Sequence, residues 1–134
     1  MSFDGEGFVE VANDLFDFPS NNPHIAMREA ELRACISRAY YGVFLKVKHY
    51  LIHSVQDANV PTDYRVHKYI RNRIREIAKI RNKSHLGKSI YANLDALRQD
   101  RNDADYEETF NNLETNAHTA LIYASEILDN LKLL

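Results

Sequence analysis

The chain has 134 residues, enough for one domain with one core and no covalent staples. Its single cysteine, Cys35, excludes an internal disulfide, and no apolar run approaches the roughly 18 residues of a membrane span. The net charge of −2 conceals a split: residues 65–88 carry nine of the 17 Lys and Arg against one acid, Glu76, so that segment holds +8 and the remainder −10. Such a split points to a local anionic partner and away from a protein that coats nucleic acid over its whole surface. The opening MSFDGEGF has no positive stretch ahead of an apolar one, so no secretory signal is expected. With the lone cysteine, this gives a cytoplasmic expectation.

Phe8, Val11, Ala12 and Leu15 recur at helical spacing and predict a short first helix, stopped by PSNNP at 19–23. A long second helix is expected from about Ile25 to Val55. Leu32, Ile36, Ala39, Tyr40, Val43, Phe44, Val47, Tyr50 and Leu51 gather on one broad face of it. DANVPTD (57–63) interrupts the pattern. A third helix, near Asp63 to Asn82, carries a stripe of Val66, Ile70, Ile74, Ile77 and Ile80. SHLGKS (84–89) reads as a looser segment, and a fourth helix carries Ile90, Leu94 and Leu97. LRQDRNDADY (97–106) reads as a charged corner before a last helix, whose inner side holds Phe110, Leu113, Ala117, Leu121, Ala124, Leu128 and Leu131. No strand signal is present. The expectation is one all-α domain over residues 1–134, an up-and-down bundle of four to five helices.

Two stretches carry a resemblance. CISRAYYGVF (35–44), mid-way along the second helix, and Leu94, Leu97, Arg98 and RNDADY (101–106), before the last helix, are together similar to the HEPN family. That family's usual forms lie close to ISRAYYAxF and LxxLRxxRxxADY, in this order and at about this separation. The resemblance covers nearly the whole chain. It implies a bundle like the C-terminal domain of kanamycin nucleotidyltransferase, a homodimer, and RNA or nucleotide binding. It also implies a toxin–antitoxin or defence setting, with a small nucleotidyltransferase as a partner, and no cofactor. Nuclease members carry an arginine, then four to six residues, then a histidine, often followed by x-Tyr. Here Ala104 stands at that distance from Arg98, and Tyr106 at that distance from Arg101.

Metal-independent RNA cleavage needs a group to take the 2′-hydroxyl proton and another to offset charge growing on the phosphate. Arginine serves the second role, and histidine the first, because its pKa of about 6.5 lies near working pH. Without that histidine the expectation leans toward a non-catalytic binder, in which Arg98, Arg101 and Asn102 contact phosphate. A ribonuclease would have to use Arg101 with Asp105 or Tyr106. A third reading is a protein-binding subunit.

The corner also has a purely structural reading. Asp105 would cap the last helix, with Glu108 completing a capping box and Glu107 and Glu108 favouring the helix dipole. Tyr106 would fold over the bundle end, and Arg98 and Arg101 would pair with Asp103 and Asp105. In the third helix, Lys68, Arg71, Arg75 and Lys79 fall within about 80° on a wheel, opposite the isoleucines. This predicts a solvent-facing ridge able to meet successive phosphates or an acidic partner. Arg73 and Arg81 lie at the stripe's edges and either reach the corner or run along the core margin.

His49 and His53 sit one turn apart with no convincing third ligand, so no metal site is expected, and His85 reads as a loop residue. Tyr40 falls in the apolar face, and its hydroxyl needs a partner, naturally an arginine or aspartate of the corner. Ser37, Arg38 and Tyr41 fall outside that stripe and read as interface positions. Gly42 costs roughly 1 kcal/mol in a helix, which a close helix crossing or a dimer contact would offset.

Overall fold

The computed structural model describes residues 5–19 and 24–134. It contains α1 (Gly5–Asp17), α2 (Ile25–His49), α3 (Val66–Ile80), α4 (Ser84–Tyr106) and α5 (Leu113–Leu133), with no strand among the described residues. The chain is an all-α bundle, as the apolar periodicity predicts. The turn expected at 19–23 falls, after Pro19, on residues outside those described.

α2 is the central rod, packing against α1, α4 and α5, while α3 lies mainly on α4. The predicted inner face of α2 is buried at Leu32, Ile36, Ala39, Tyr40, Val43, Phe44, Val47 and Leu51, and Tyr50 is half-buried. Ile70 and Ile74 of α3, Ile90, Leu94 and Leu97 of α4, and Ala117, Ala120, Ala124 and Ile127 of α5 complete the core. α2 ends in a wider π turn at Tyr50–Ser54, where the Val55 amide donates to the Tyr50 carbonyl.

Glycine permits the closest crossing. Gly42 of α2 meets Gly5 of α1 so tightly that a Cβ on Gly42 would lie 2.6 Å from the Gly5 carbonyl oxygen. The crossing that the glycine required is therefore made within the chain, against α1. Gly87 plays the same part between α4 and α3, where a Cβ would stand 2.5 Å from that of Ala78.

Several boundaries and faces differ from the sequence expectation. SHLGKS is helical and opens α4. α3 closes on Arg81, with Asn82 left-handed (φ 58°); Asn82 N–H reaches the Lys79 carbonyl and Lys83 N–H the Ala78 carbonyl. The chain reverses so sharply that nothing covers Ile80, which is 73% exposed. In α1 the buried positions are Gly5, Val9 and Ala12, and Val11 faces solvent. In α5, Ala120 and Ile127 are buried, while Leu113, Leu121 and Leu128 are only half-buried.

The largest correction concerns 97–106. These residues are the last turns of α4, and the corner itself lies at 107–112. Asp105 therefore does not cap α5. Asn112 holds that position with φ 54°, no side chain caps it, and Glu107 and Glu108 follow the end of α4. Asn and Asp propensities suggested a break, but buried Leu97 and Ala104 keep this segment docked as helix.

Candidate functional site

The end of α4 lies against α2, and Arg33 fixes it there. Its Nη1 donates to the carbonyls of Ala104 (2.8 Å) and Glu107 (2.7 Å), and its Nη2 to that of Glu108 (3.0 Å). A cation thus satisfies the orphan carbonyls at a helix C-terminus, where the dipole is negative. Sequence reasoning passed over Arg33. Its signal was weak, one arginine two residues before the first signature.

Once α4 is docked, the two signatures meet. Arg101 Nη2 donates to the Tyr41 hydroxyl, Nη1 to Asn102 Oδ1 at 2.9 Å, and Nε stands 3.5 Å from Asp105 Oδ2. The same carboxylate oxygen lies 3.5 Å from Ser37 Oγ. The Arg101 guanidinium lies 4.7 Å from the ring centre of Tyr41 and 5.7 Å from that of Tyr40. Ser37, Tyr40 and Tyr41 of α2 are therefore brought together with Arg101 and Asp105 of α4, as the paired signatures required. Among the described residues Asp103 takes part in no ion pair and Arg98 has no carboxylate partner.

Tyr40 finds a partner that the sequence reading missed. Its hydroxyl lies 2.5 Å from Nδ1 of His67 on α3, and that imidazole stacks on Phe44 with ring centres 4.4 Å apart. Burial pushes the Tyr40 phenol up to about 12, against the lowering pull of Arg98, Arg71 and Arg101. Burial, and then Arg98, Arg101, Arg71 and Lys48, bring His67 down to about 4. A neutral imidazole beside a protonated phenol leads us to assign Tyr40 as donor and the ring proton to Nε2. The signal was available. On the α3 wheel, position 67 lies only about 20° from Ile74, at the edge of the apolar stripe.

The ridge of α3 needs correcting at Arg71, which is only 8% exposed. α4 covers that flank. Asp95 Oδ1 stands 3.8 Å from Arg71 Nε, and the guanidinium lies 5.9 Å from the ring centre of Tyr91. Arg71 Nε and Nη1 are sealed without a hydrogen bond. Lys68, Arg75 and Lys79 are exposed as predicted, with Arg75 over Tyr91 at 4.3 Å. Beyond Arg71 a hollow of about 550 Å³ is lined by Pro61, Tyr64, Arg65, Lys68, Tyr69, Asn72 and Arg98. Lys68 of the ridge and Arg98 of the second signature thus share one wall. Tyr64 at its rim is 84% exposed, and Arg65 is held by Asp63 at 2.7 Å.

Other candidates lie apart. Arg73 binds Asp57, which is also held by Tyr69, and Arg81 binds the Tyr50 hydroxyl and the Leu134 carbonyl; neither reaches the end of α4. Arg38 lies 5.5 Å over the Phe8 ring of α1. Tyr106 does not fold over the bundle end, being 76% exposed. His85 stands in the first turn of α4, about 24 Å along the axis from Arg101. The rings of His49 and His53 lie 4.3 Å apart and tilted by 39°, and no group of three or more potential metal ligands occurs among the described residues. Among the described residues no helix is long and apolar enough to cross a membrane.

The arrangement supplies open cations (Lys68, Arg98, Arg75) and an exposed aromatic (Tyr64) along one seam of α3 and α4. Such a combination suits phosphates with stacked bases. Of the residues named for cleavage, Asp105 faces Arg101 and Ser37, and Tyr106 faces solvent. Comparison with protein-family models, with curated proteins and with solved structures returned no match.

Proposed function

We propose that this chain is a HEPN-like, cytoplasmic bundle that binds RNA or a nucleotide-bearing partner through the α3–α4 seam, as a homodimer and without efficient ribonuclease activity. A toxin–antitoxin or defence system with a small nucleotidyltransferase is the setting that goes with this reading. The observation that carries it is the shared wall of Lys68 and Arg98. Two cations from segments about thirty residues apart line one hollow with Tyr64 at its rim, and Arg98 has no carboxylate partner among the described residues. Asp63 is taken up by Arg65 at 2.7 Å and Asp95 stands 3.8 Å from Arg71, so the acids near the seam leave Lys68 and Arg98 unpaired among the described residues.

The test is binding of a labelled single-stranded RNA and a tRNA across a salt series, with cleavage followed in the same samples. Each phosphate contact to a single strand contributes about 0.7 to the slope of log affinity against log salt. Lys68→Ala/Arg98→Ala should lower the slope by about 1.4 and weaken binding at least tenfold. Tyr64→Ala should weaken it several-fold with the slope unchanged, because stacking releases no counterion. Cleavage that disappears in Arg101→Ala would instead establish the ribonuclease reading. Absence of binding at low salt would leave the protein-binding reading.

A further inference from the structure

Behind the hollow, charge accumulates without matching anions. Lys68 and Arg98 both line the hollow without a carboxylate partner among the described residues, whereas Arg71 pairs with Asp95, Arg101 with Asp105 and Arg65 with Asp63. The excess is +2. Arg101 has its guanidinium engaged by Tyr41, Asn102 and Asp105, so it acts as fixed background charge. Arg71 is 8% exposed with Nε and Nη1 lacking any hydrogen bond, its charge met only by Asp95 at 3.8 Å. Arg98, with no carboxylate beside it, and Lys68 face the open side. Arg98, Arg101 and Arg71 act on His67, which is hydrogen-bonded to Tyr40 and stacked on Phe44.

We propose that Arg98 and Lys68, backed by Arg71 and Arg101, form a seat for a phosphomonoester dianion, and that His67 takes up a proton when the anion arrives. An internal phosphodiester carries one charge and a terminal phosphate up to two, so the excess of +2 selects the end of a nucleotide chain or a free phosphate. The groups acting on His67 are the Tyr40 hydroxyl and Lys48 from α2, Arg71 from α3, and Arg98 and Arg101 from α4. Cations dominate the set, which keeps the imidazole neutral when the seat is empty. A dianion reverses the local field. The proton, taken from solvent, goes to Nδ1, and the bond to Tyr40 reverses, with Nδ1–H now donating to the phenolic oxygen. Reciprocity then makes anion affinity rise as pH falls. This rests on the phosphate-binding reading above only for the natural source of the anion.

Sulfate is the probe, because it remains a dianion across the whole pH range and adds no titration of its own. The His67 imidazole would be titrated by NMR in the full-length protein, with and without saturating sulfate. Its midpoint should rise by about two pH units, making sulfate bind roughly tenfold more tightly at pH 5 than at pH 7. His67→Gln should bind sulfate with that pH dependence gone, and Arg98→Ala should bind it at least tenfold more weakly. A midpoint unmoved by saturating sulfate overturns the proposal, whatever the RNA experiment shows. A second arm compares 5′-phosphorylated and 5′-hydroxyl forms of one oligonucleotide. Preference for the phosphorylated form identifies the chain end as ligand; equal binding, with the His67 shift present, identifies a free phosphate.

Discussion

The hydroxyl of Tyr40 lies 2.5 Å from Nδ1 of His67, so α3 satisfies the buried phenol of α2 while the arginines of α4 lie around the pair. This contact ties stability to pH. In the folded chain His67 titrates at about 4, with burial as the main cause, against an ordinary 6.5. Its folded value lies below the unfolded one, so protonation favours the unfolded chain. The stabilisation is complete above pH 6.5 and is lost as pH falls through 6.5 toward 4. At about 1.4 kcal/mol per unit, discounted because the ring is only half-buried, the loss is roughly 1–2 kcal/mol. Urea denaturation of the wild type and His67→Gln at pH 7 and pH 4.5 measures it. The wild type should lose that much more than the variant, and equal losses would remove His67 as the cause.

Arg71 should be better for binding than for folding. Its guanidinium is covered by Tyr91 and Asp95, yet Nε and Nη1 have no hydrogen bond. Replacing a buried charge with an apolar side chain of similar length is often neutral or stabilising. Asp95 is 42% exposed and stays hydrated when its neighbour goes. Arg71→Met is therefore expected to keep or raise stability by about 1 kcal/mol while weakening RNA binding several-fold. Lys79→Ala, at an exposed position, should change stability by less than about 0.5 kcal/mol. A fall of several kcal/mol in Arg71→Met would show that the charge is well compensated in the folded chain.

What the sequence revealed follows from which forces act along the chain and which act across it. The stripes of α2 and α3 were legible because burial imposes a period of 3.6, and Ile36, Tyr40, Ile70 and Ile74 obey it. The meeting of Tyr41 with Arg101 and of Ser37 with Asp105 was legible only as paired signatures, since spacing alone does not bring residues 60 apart together. Arg71 was misplaced because a single-helix wheel shows the angle to the apolar stripe but not the flank on which α4 lies. The end of α4 was misread because Asn and Asp favour a break locally. Arg33, seventy residues away, supplies the carbonyl contacts that hold it.

That role makes Arg33 a test of how the site is held. It bonds four carbonyls at and just beyond the end of α4, those of Asp103, Ala104, Glu107 and Glu108, and pairs with Glu29 at 3.2 Å. Hydrogen bonds from a charged group contribute about 1.5–3 kcal/mol each when buried and less where, as here, water competes. Arg33→Ala is expected to destabilise the fold by about 2 kcal/mol. Amide exchange should accelerate first at residues 101–108, before the core of α2 opens. Faster exchange spread evenly over all helices would mean that Arg33 supports the fold generally and not this terminus.

Gly42 and Gly7 give opposite expectations for the same substitution. An alanine Cβ at Gly42 would lie 2.6 Å from the Gly5 carbonyl oxygen and 2.7 Å from Val9 Cγ2, inside any real contact. Because the first obstacle is backbone, α1 must move as a body, and the Tyr40–Tyr41 turn of α2 lies directly beside the crossing. Gly42→Ala should cost about 2–3 kcal/mol, as overpacking does in a close-packed core. Gly7 lies in the same α1, where a Cβ would meet nothing within 4 Å. Gly7→Ala gains helix propensity at no steric cost and should stabilise by up to about 1 kcal/mol. Thermal unfolding of the two variants beside the wild type separates them by sign. If both shift the midpoint the same way, the Gly5–Gly42 contact is not the point on which α1 is docked.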